Sequence, residues 1–497
     1  MTSPPQPAAT ARRRPLVVAV VYVAAMFMAV MDTTVVNVAL PALGRDFHAG
    51  AGSVGLVSVA YLVSLAVFIP ASGWLGDRIG DRTALLGAIG VFTAASALCG
   101  TATTLYELVA FRVLQGVGGA VMTPVGLSML FKAYPPAERV RVAGILAVFT
   151  ALGPALGPVL GGVFTTYLSW RLVFFVNVPI GVAVLVYGAL LLAGHAPSTR
   201  RRLDVPGFAL SGLGLGCTMY GISEGPGRGW SAAPVLITIA VGAALLVAMV
   251  AVELRAHRPL IDLRLFGNRL FTASTGLYAL GSASYIGTLF LTALFLQDGL
   301  GLSAVQTGLA TFPSALGTMA GGRLVTRALY WRFGPRRITA AGLAAIAAAT
   351  ALMALVTTGD GLWPVRLIMF GLGLGVSFVF IPAQAASMAT VPHARTAPAS
   401  AIYNAAKQLG SAVGVTLLTT VLTVAAPARA ASGRPVSDLT AFHAGFLAAT
   451  AVALCAIPVA LTIRDADASA TMVPPRRRGA AKPRTQASPA DPATGTD

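Results

Sequence analysis

Apolar runs of about 20 residues recur along almost the whole chain, and each is long enough to cross a hydrocarbon core of roughly 30 Å as a helix. Fourteen such spans separate, at residues 16–40, 53–75, 83–102, 105–130, 140–165, 172–194, 205–224, 233–252, 270–296, 305–329, 338–357, 362–391, 398–425 and 443–463. A backbone that faces lipid must satisfy its own hydrogen bonds, which leaves helices or a closed barrel. A barrel would alternate apolar and polar residues in short strands, and no stretch of this sequence does so. The expectation is an all-α integral membrane protein. Only 10% of residues are charged, against roughly 25% in an ordinary soluble domain, so no room remains for a soluble domain.

The formal charge of +18 invites a nucleic-acid reading, and the placement of the 35 Lys and Arg residues answers it. If the first span starts in the cytoplasm, only Arg45, Arg171, Arg228, Arg429 and Arg434 fall in outer connections, while Arg112, Arg366 and Lys407 lie in or beside spans. The remainder sit in the tails and inner connections, which is the positive-inside distribution with both termini cytoplasmic. No nucleic-acid partner is expected. Cys99, Cys217 and Cys455 are far apart and inside apolar runs, so neither a disulfide framework nor a zinc site is indicated. The first span is too long for a signal-peptide core and lacks a convincing small-residue cleavage site, so it should stay in the mature protein.

Two polar connections, HAPSTRRRLD (195–204) and ELRAHRPLIDLRLFGNR (253–269), bracket one pair of spans in mid-chain. Setting that pair aside leaves six spans on each side, an arrangement that permits two similar halves around a midplane site. The domains are then a cytoplasmic tail at 1–15, a six-helix bundle at 16–194, an inserted and peripheral helix pair with its loops at 195–269, a second six-helix bundle at 270–463, and a tail at 464–497. Both tails are rich in Pro, Ala, Ser and basic residues and are expected to be disordered. The run Arg476, Arg477, Arg478 can touch anionic lipid or simply be solvated.

Asp32 lies within the first span, where an ionised carboxylate is costly and therefore paired, neutralised or functional. At about 1.5 Å per residue, Asp32 and Arg112 of the fourth span lie at similar depths, roughly 12 and 10 Å from the outer ends of their helices. Desolvation favours the protonated carboxyl and a nearby guanidinium favours the carboxylate, so a movable Arg112 can set when Asp32 takes or releases a proton. A static ion pair, or bonds only to local backbone and Thr33, are the alternatives. Lys407, near the middle of the thirteenth span, is either functional or structurally paired. Glu224 and Asp298, at outer span ends, attract a cation or are simply solvated.

Three motifs add to this. The turn GWLGDRIGDR (73–82) interleaves Gly73, Gly76 and Gly80 with Asp77, Arg78, Asp81 and Arg82, which permits close backbone approach and bonding across to another helix end. In ALGPALGPVLGGV (151–163), Gly153, Gly157 and Gly161 share a face, and Pro154 and Pro158 remove backbone donors. The fourth span carries LVAFRVLQGVGGA (108–120). With these residues the chain resembles the major facilitator superfamily, whose inner loop reads G-x-L-x-D-R-x-G-x-R and whose helix-4 pattern R-x-x-Q-G-x-G-x-A matches Arg112, Gln115, Gly116, Gly118 and Ala120. Gly153, Pro154, Gly157, Pro158, Gly161 and Gly162 resemble the antiporter motif of its drug exporters. DTTVVNVALPALG, SWRLVFFVNVPIG (169–181) and PLIDLRLF (259–266) are similar to the fourteen-helix drug:proton antiporters, the EmrB/QacA-like branch.

The resemblance implies the major facilitator fold, two six-helix bundles plus two extra central helices. It implies that Asp77 faces the start of a helix near TAPAS (396–400) as a conformational latch, with Gly73, Arg78, Gly80 and Arg82 in support. The second-half copy, GRLVTRALYWRFGPRR (322–337), is degraded: Thr326 stands where an acid is expected and ALYW interrupts the spacing. It further implies proton-coupled efflux of bulky amphipathic drugs or antibiotics from a bacterial cytoplasmic membrane, with Asp32 and Arg112 coupling protons. Cavity candidates are Phe27, Tyr285, Phe290, Phe378 and Tyr403 for apolar contact, and Asn37, Gln115, Gln384 and Asn404 for polar contact. The proton gradient serves as energy source, and no cofactor, metal or obligate protein partner is expected. The five histidines lie in connections or at span ends, no HExxH, catalytic triad or Walker loop is present, and GLGLG (371–375) has no strand before it, so no enzyme is expected. Export of a single endogenous metabolite or lipid, or a non-transporting sensor, are the alternative readings.

Overall fold

The computed structural model describes residues 8–49, 51–193, 203–256, 260–357, 359, 361–392, 395–425 and 439–472, and no strand occurs among them. The chain runs α1 (Ala8–Asp46), α2 (Ala51–Phe68), α3 (Ala71–Ile79), α4 (Asp81–Thr101), α5 (Leu105–Ala133), α6 (Pro136–Tyr167), α7 (Leu172–Phe175) and α8 (Asn177–Leu191). Next come α9 (Val205–Arg228), α10 (Ala233–Arg255), α11 (Arg269–Leu294), α12 (Ala304–Thr311) and α13 (Pro313–Leu324). The last are α14 (Tyr330–Met353), α15 (Trp363–Ser387), α16 (Thr396–Ala425) and α17 (Thr440–Leu461). Among the described residues, eleven helical stretches are long and apolar enough to cross a membrane, or twelve if a bent pair is one span. The fourteen crossings expected from sequence are thus not all separate here.

The differences have local causes. The expected second span breaks at Pro70, whose ring removes a backbone donor, and α2 meets α3 at a 60° bend. The spans expected at 305–329 and 338–357 meet at a kink inside their expected connection, although helical residues run almost without a gap from Ala304 to Met353. The turn is confined to Gly334, at φ 74° and ψ 166°, a backbone geometry that only glycine adopts without strain. The inserted residues ALYW fall where a π-turn, Val325–Leu329, runs into α14, and a π-turn is the usual way a helix absorbs extra residues. α6 has 32 residues but stands outside the eleven.

Both expected tails need correction where the structure describes them. Residues 8–15 belong to α1. Residues Asp465–Thr471 form a 3-10 turn folded under the bundle, where Asp465 Oδ1 accepts the Arg336 amide at 2.9 Å and Thr471 shares a 2.7 Å hydrogen bond with the buried Tyr330 hydroxyl. Asp465 satisfies an amide at the restart of α14 beyond Gly334 that the helix itself leaves unpaired. Arg476, Arg477 and Arg478 lie outside the described residues.

The helix pair is less peripheral than expected. α10 is the least buried of the candidate spans, but α9 packs on both α2 and α16. Leu215 and Met219 of α9 join Ala66 of α2 and Leu409 and Ala412 of α16 in one apolar cluster, and Trp230 donates to Thr420 at 3.0 Å. Along the other flank α6 packs against α12, α13 and α15. The bundle end that carries the turn 73–82 is the loop end; the opposite one is the far end.

Candidate functional site

Asp32 is fully buried, and its carboxylate is bonded entirely by neighbouring helices. Oδ2 accepts from Arg112 of α5 at 2.6 Å. Oδ1 accepts from Gln115 of α5 and from Asn177 of α8, each at 2.9 Å. Arg112 also donates to the Gln115 carbonyl at 2.7 Å and to the Val57 carbonyl of α2 at 3.2 Å, and its guanidinium lies 4.2 Å from the Tyr61 ring centre. Asn177 continues the network to Ser96 at 3.1 Å, and Ser96 donates to the Phe174 carbonyl at 2.9 Å. Thr33 bonds the Ala29 carbonyl, and with Asp32 held by Arg112, Gln115 and Asn177 the reading of Asp32 as bonded only to local backbone or Thr33 does not hold.

The helices present these groups for visible reasons. Pro179 cannot donate to the Phe175 carbonyl, so one helical hydrogen bond is missing where α7 meets α8, and Asn177 lies at that point beside Asp32 in the continuous span Leu172–Leu191. Thr104 and Glu107 form a capping box that starts α5 two turns before Arg112. Chemically, three of about four acceptor positions on the carboxylate are filled, one of them by a cation, so the charged form is favoured while Arg112 stays and the protonated form gains when Arg112 moves aside. Swinging Arg112 toward Val57 or Tyr61 is one such motion.

The glycines of the 151–163 motif place α1. A Cβ at Gly153 would approach Val30 to 2.6 Å, one at Gly157 would collide with Thr34, and one at Gly161 would lie 3.1 Å from the Val35 carbonyl. Thr34 bonds back to the Gly153 carbonyl at 3.2 Å. The stripe therefore lets α6 lie backbone to backbone against the turns of α1 on either side of Asp32. Gly162 faces Ala304 and Val305 of α12 instead. The side chains of Pro154 and Pro158 lie outside the described residues.

At the loop end, Gly73 of α3 approaches the Ala397 and Pro398 backbone at the start of α16, where an added Cβ would sit 3.4 Å away. Asp77 and Arg78 follow at the end of α3, Asp77 on the same helix face as Gly73. Gly80, at φ 88°, ends α3 and starts α4. Asp81 pairs with Lys132 at 2.9 Å, Arg82 donates to the Ala189 carbonyl at 2.6 Å, and Arg78 stacks 5.5 Å from the Trp74 ring centre. Buried Arg139 of α6 adds a tie that the sequence reading missed, donating to the Met388 carbonyl beyond α15.

The cavity candidates divide. Gln115, one of the polar cavity candidates, belongs to the Asp32 network. Tyr285 and Tyr403 are buried and joined through Tyr278 and Phe380 in a ladder of rings, with centres 5.9, 4.9 and 4.2 Å apart in turn. Tyr278 and Phe380 were not among the candidates. Phe378 packs against the apolar cluster around Val140, Tyr330 and Ile381, apart from that ladder. Phe27 packs on the cluster around Met31 and Val35, while Phe290 and Gln384 are half-buried. Asn37 is exposed and accepts from Ser58 at 2.9 Å; Asn404 is buried and bonds the Ser400 carbonyl at 2.8 Å. Lys407 is half-buried with no ion-pair partner among the described residues. Glu224 pairs with Arg228 one turn on at 2.5 Å, and Asp298 is exposed. The signal that could have found Asn177 is a lone amide in the run VFFVNVPIG, just before a proline.

The sequence profile of the Major Facilitator Superfamily matches residues 22–415, and the chain belongs to that family of multi-pass membrane transporters. It is 33% identical over 409 residues to the multidrug resistance protein B homolog of Mycobacterium tuberculosis, covering 81% of this chain and 75% of that one. The uncharacterized MFS-type transporter YhcA of Bacillus subtilis is 29% identical over 411 residues, covering 83% and 77%. The crystal structure of the human organic anion transporter MFSD10 superposes with a TM-score of 0.61 at 15% identity, over 92% of this chain and all of that one, and so supports the fold.

Proposed function

We propose that this transporter exports bulky amphipathic drugs or antibiotics across a bacterial cytoplasmic membrane, both termini inside, in exchange for protons. The observation that carries the reading is the closed set of bonds around Asp32, in which a buried acid is held by a cation and two amides from neighbouring helices. The multidrug resistance name of the mycobacterial relative supports the substrate class.

In this scheme a proton entering from outside binds Asp32 and releases Arg112. The freed guanidinium turns to the Val57 carbonyl and Tyr61 ring on α2, which are already within reach. α2 leads through the Pro70 bend into α3, whose Gly73 contact with α16 acts as the latch, with Asp77, Arg78, Gly80 and Arg82 around it. Rocking of two six-helix halves then exposes the cavity alternately, and the return of Arg112 drives the proton off Asp32. The membrane potential contributes about 2.3 kcal/mol per charge per 100 mV, and no cofactor is required.

The test is transport by purified protein in liposomes with an imposed proton gradient. Ethidium should accumulate against its own gradient only on the side from which protons leave, and an ionophore that collapses the gradient should stop it. Ethidium movement that ignores the proton gradient would refute the reading.

A further inference from the structure

At the loop end, two contacts join the halves of the chain, and they are built differently. In one, Gly73 of α3 meets the start of α16. In the other, α13 meets α6: a Cβ at Gly322 would lie 3.8 Å from the Gly144 carbonyl, and one at Gly144 would lie 2.7 Å from Thr326 Cγ2. Thr326 stands four residues after Gly322, as Asp77 stands four after Gly73. Gly334 then ends the second turn at φ 74°, as Gly80 ends the first at φ 88°. What differs is the source of the carboxylate. After Gly80 the chain supplies Asp81 directly, whereas after Gly334 come Pro335, Arg336 and Arg337.

The missing acid comes from beyond the last span. Asp465, which follows α17, seats its carboxylate against Gly334, where an added Cβ would collide with it, and accepts the Arg336 amide at 2.9 Å. The turn Asp465–Thr471 then packs on α6, α14 and α15. Ala468 is fully buried, and Thr471, 2% exposed, shares its 2.7 Å hydrogen bond with Tyr330. Met472 packs on an apolar cluster built from Val140 and Ala143 of α6, Tyr330 and Ile338 of α14, and Ile381 and Ala385 of α15. The segment is thus anchored to the second half by Asp465 and Thr471, and it reaches α6 of the first. A seam of this kind parts whenever the two halves rock open at the loop end.

We propose that residues 465–472 are a strap that holds the loop end closed. The strap stands in for the acid absent from the second-half turn, and the loop end opens when it lets go of α6. A contact made in one state and lost in the other biases the equilibrium by its full worth, so weakening the strap raises the open population with no change at Asp32. The strap rests on the rocking of two halves in the export reading, and not on the cargo or the proton.

The experiment watches the opposite contact. Ala397, 5% exposed and seated against Gly73, is replaced by cysteine in the full chain lacking Cys99, Cys217 and Cys455, and its reaction with a charged, water-soluble thiol reagent is timed in detergent. Thr471→Val removes the bond to Tyr330, and Met472→Asp sets a charge against the apolar cluster. Each should speed labelling of Ala397→Cys about fivefold or more, the worth of one hydrogen bond expressed as a population. Cys99, buried in the first half, is the control: kept as the single cysteine, it should label no faster in either strap variant. Unchanged labelling of Ala397→Cys in both variants would overturn the proposal, and so would equal acceleration at Cys99, which would mean general loosening. Ethidium movement that ignores the proton gradient, alongside strap-dependent labelling, would sink the export reading and leave the strap standing.

Discussion

At Asp32 the decisive quantity is what each substitution leaves unpaired. Arg112→Ala strands a buried carboxylate, for which removal of one partner from a buried pair costs about 3–5 kcal/mol. Asp32→Asn in turn leaves the buried guanidinium without its counter-charge, and the double variant Asp32→Asn/Arg112→Ala should lose less than the sum of the two single variants. Unfolding midpoints in one detergent check this; strictly additive losses would mean that Arg112 and Asp32 do not depend on one another. Asn177→Leu removes one of three donors and should cost about 1 kcal/mol, the worth of one hydrogen bond.

Between elements, the α1–α6 contact has no slack at Gly157 and some at Gly162. Gly157→Ala collides with Thr34 and should destabilise by about 1–3 kcal/mol, as overpacked interiors do. Gly162→Ala meets Val305 at 3.1 Å and Ala304 at 3.3 Å, contacts that side chains can relax, and should cost much less. Comparing the two variants by thermal unfolding and efflux separates a tight α1 seat from a general need for small residues; equal effects would contradict the account. Asp465→Ala, which uncaps the restart of α14, should cost about 1 kcal/mol in the same assay. Much of this was legible in the sequence. Lipid forces each crossing to read as an apolar run, and an intramembrane acid and arginine at matched depth pointed to their contact. The inward turn of Gln115, the use of Asn177 and the ring ladder through Tyr278 and Phe380 were not legible, because one sequence gives helix periodicity but not which face meets which neighbour. The turn at Gly334 falls in the connection expected between residues 329 and 338; that it would be made by a single φ in an otherwise helical stretch was not legible.

Across the whole molecule, the account requires the loop-end contact between α3 and α16 to open and close. A Gly73→Cys/Ala397→Cys pair in a background lacking Cys99, Cys217 and Cys455 should lock that contact on oxidation and stop efflux, with recovery on reduction. Undiminished efflux in the cross-linked protein would remove the latch from the mechanism. The central claim is that Asp32 carries the proton exchanged for substrate, and proton release on adding drug to purified protein in detergent, followed across pH, tests it most directly. The account predicts release by the wild type and none by Asp32→Asn that still binds drug. Equal release by both proteins would contradict it and make the Asp32 network a structural one.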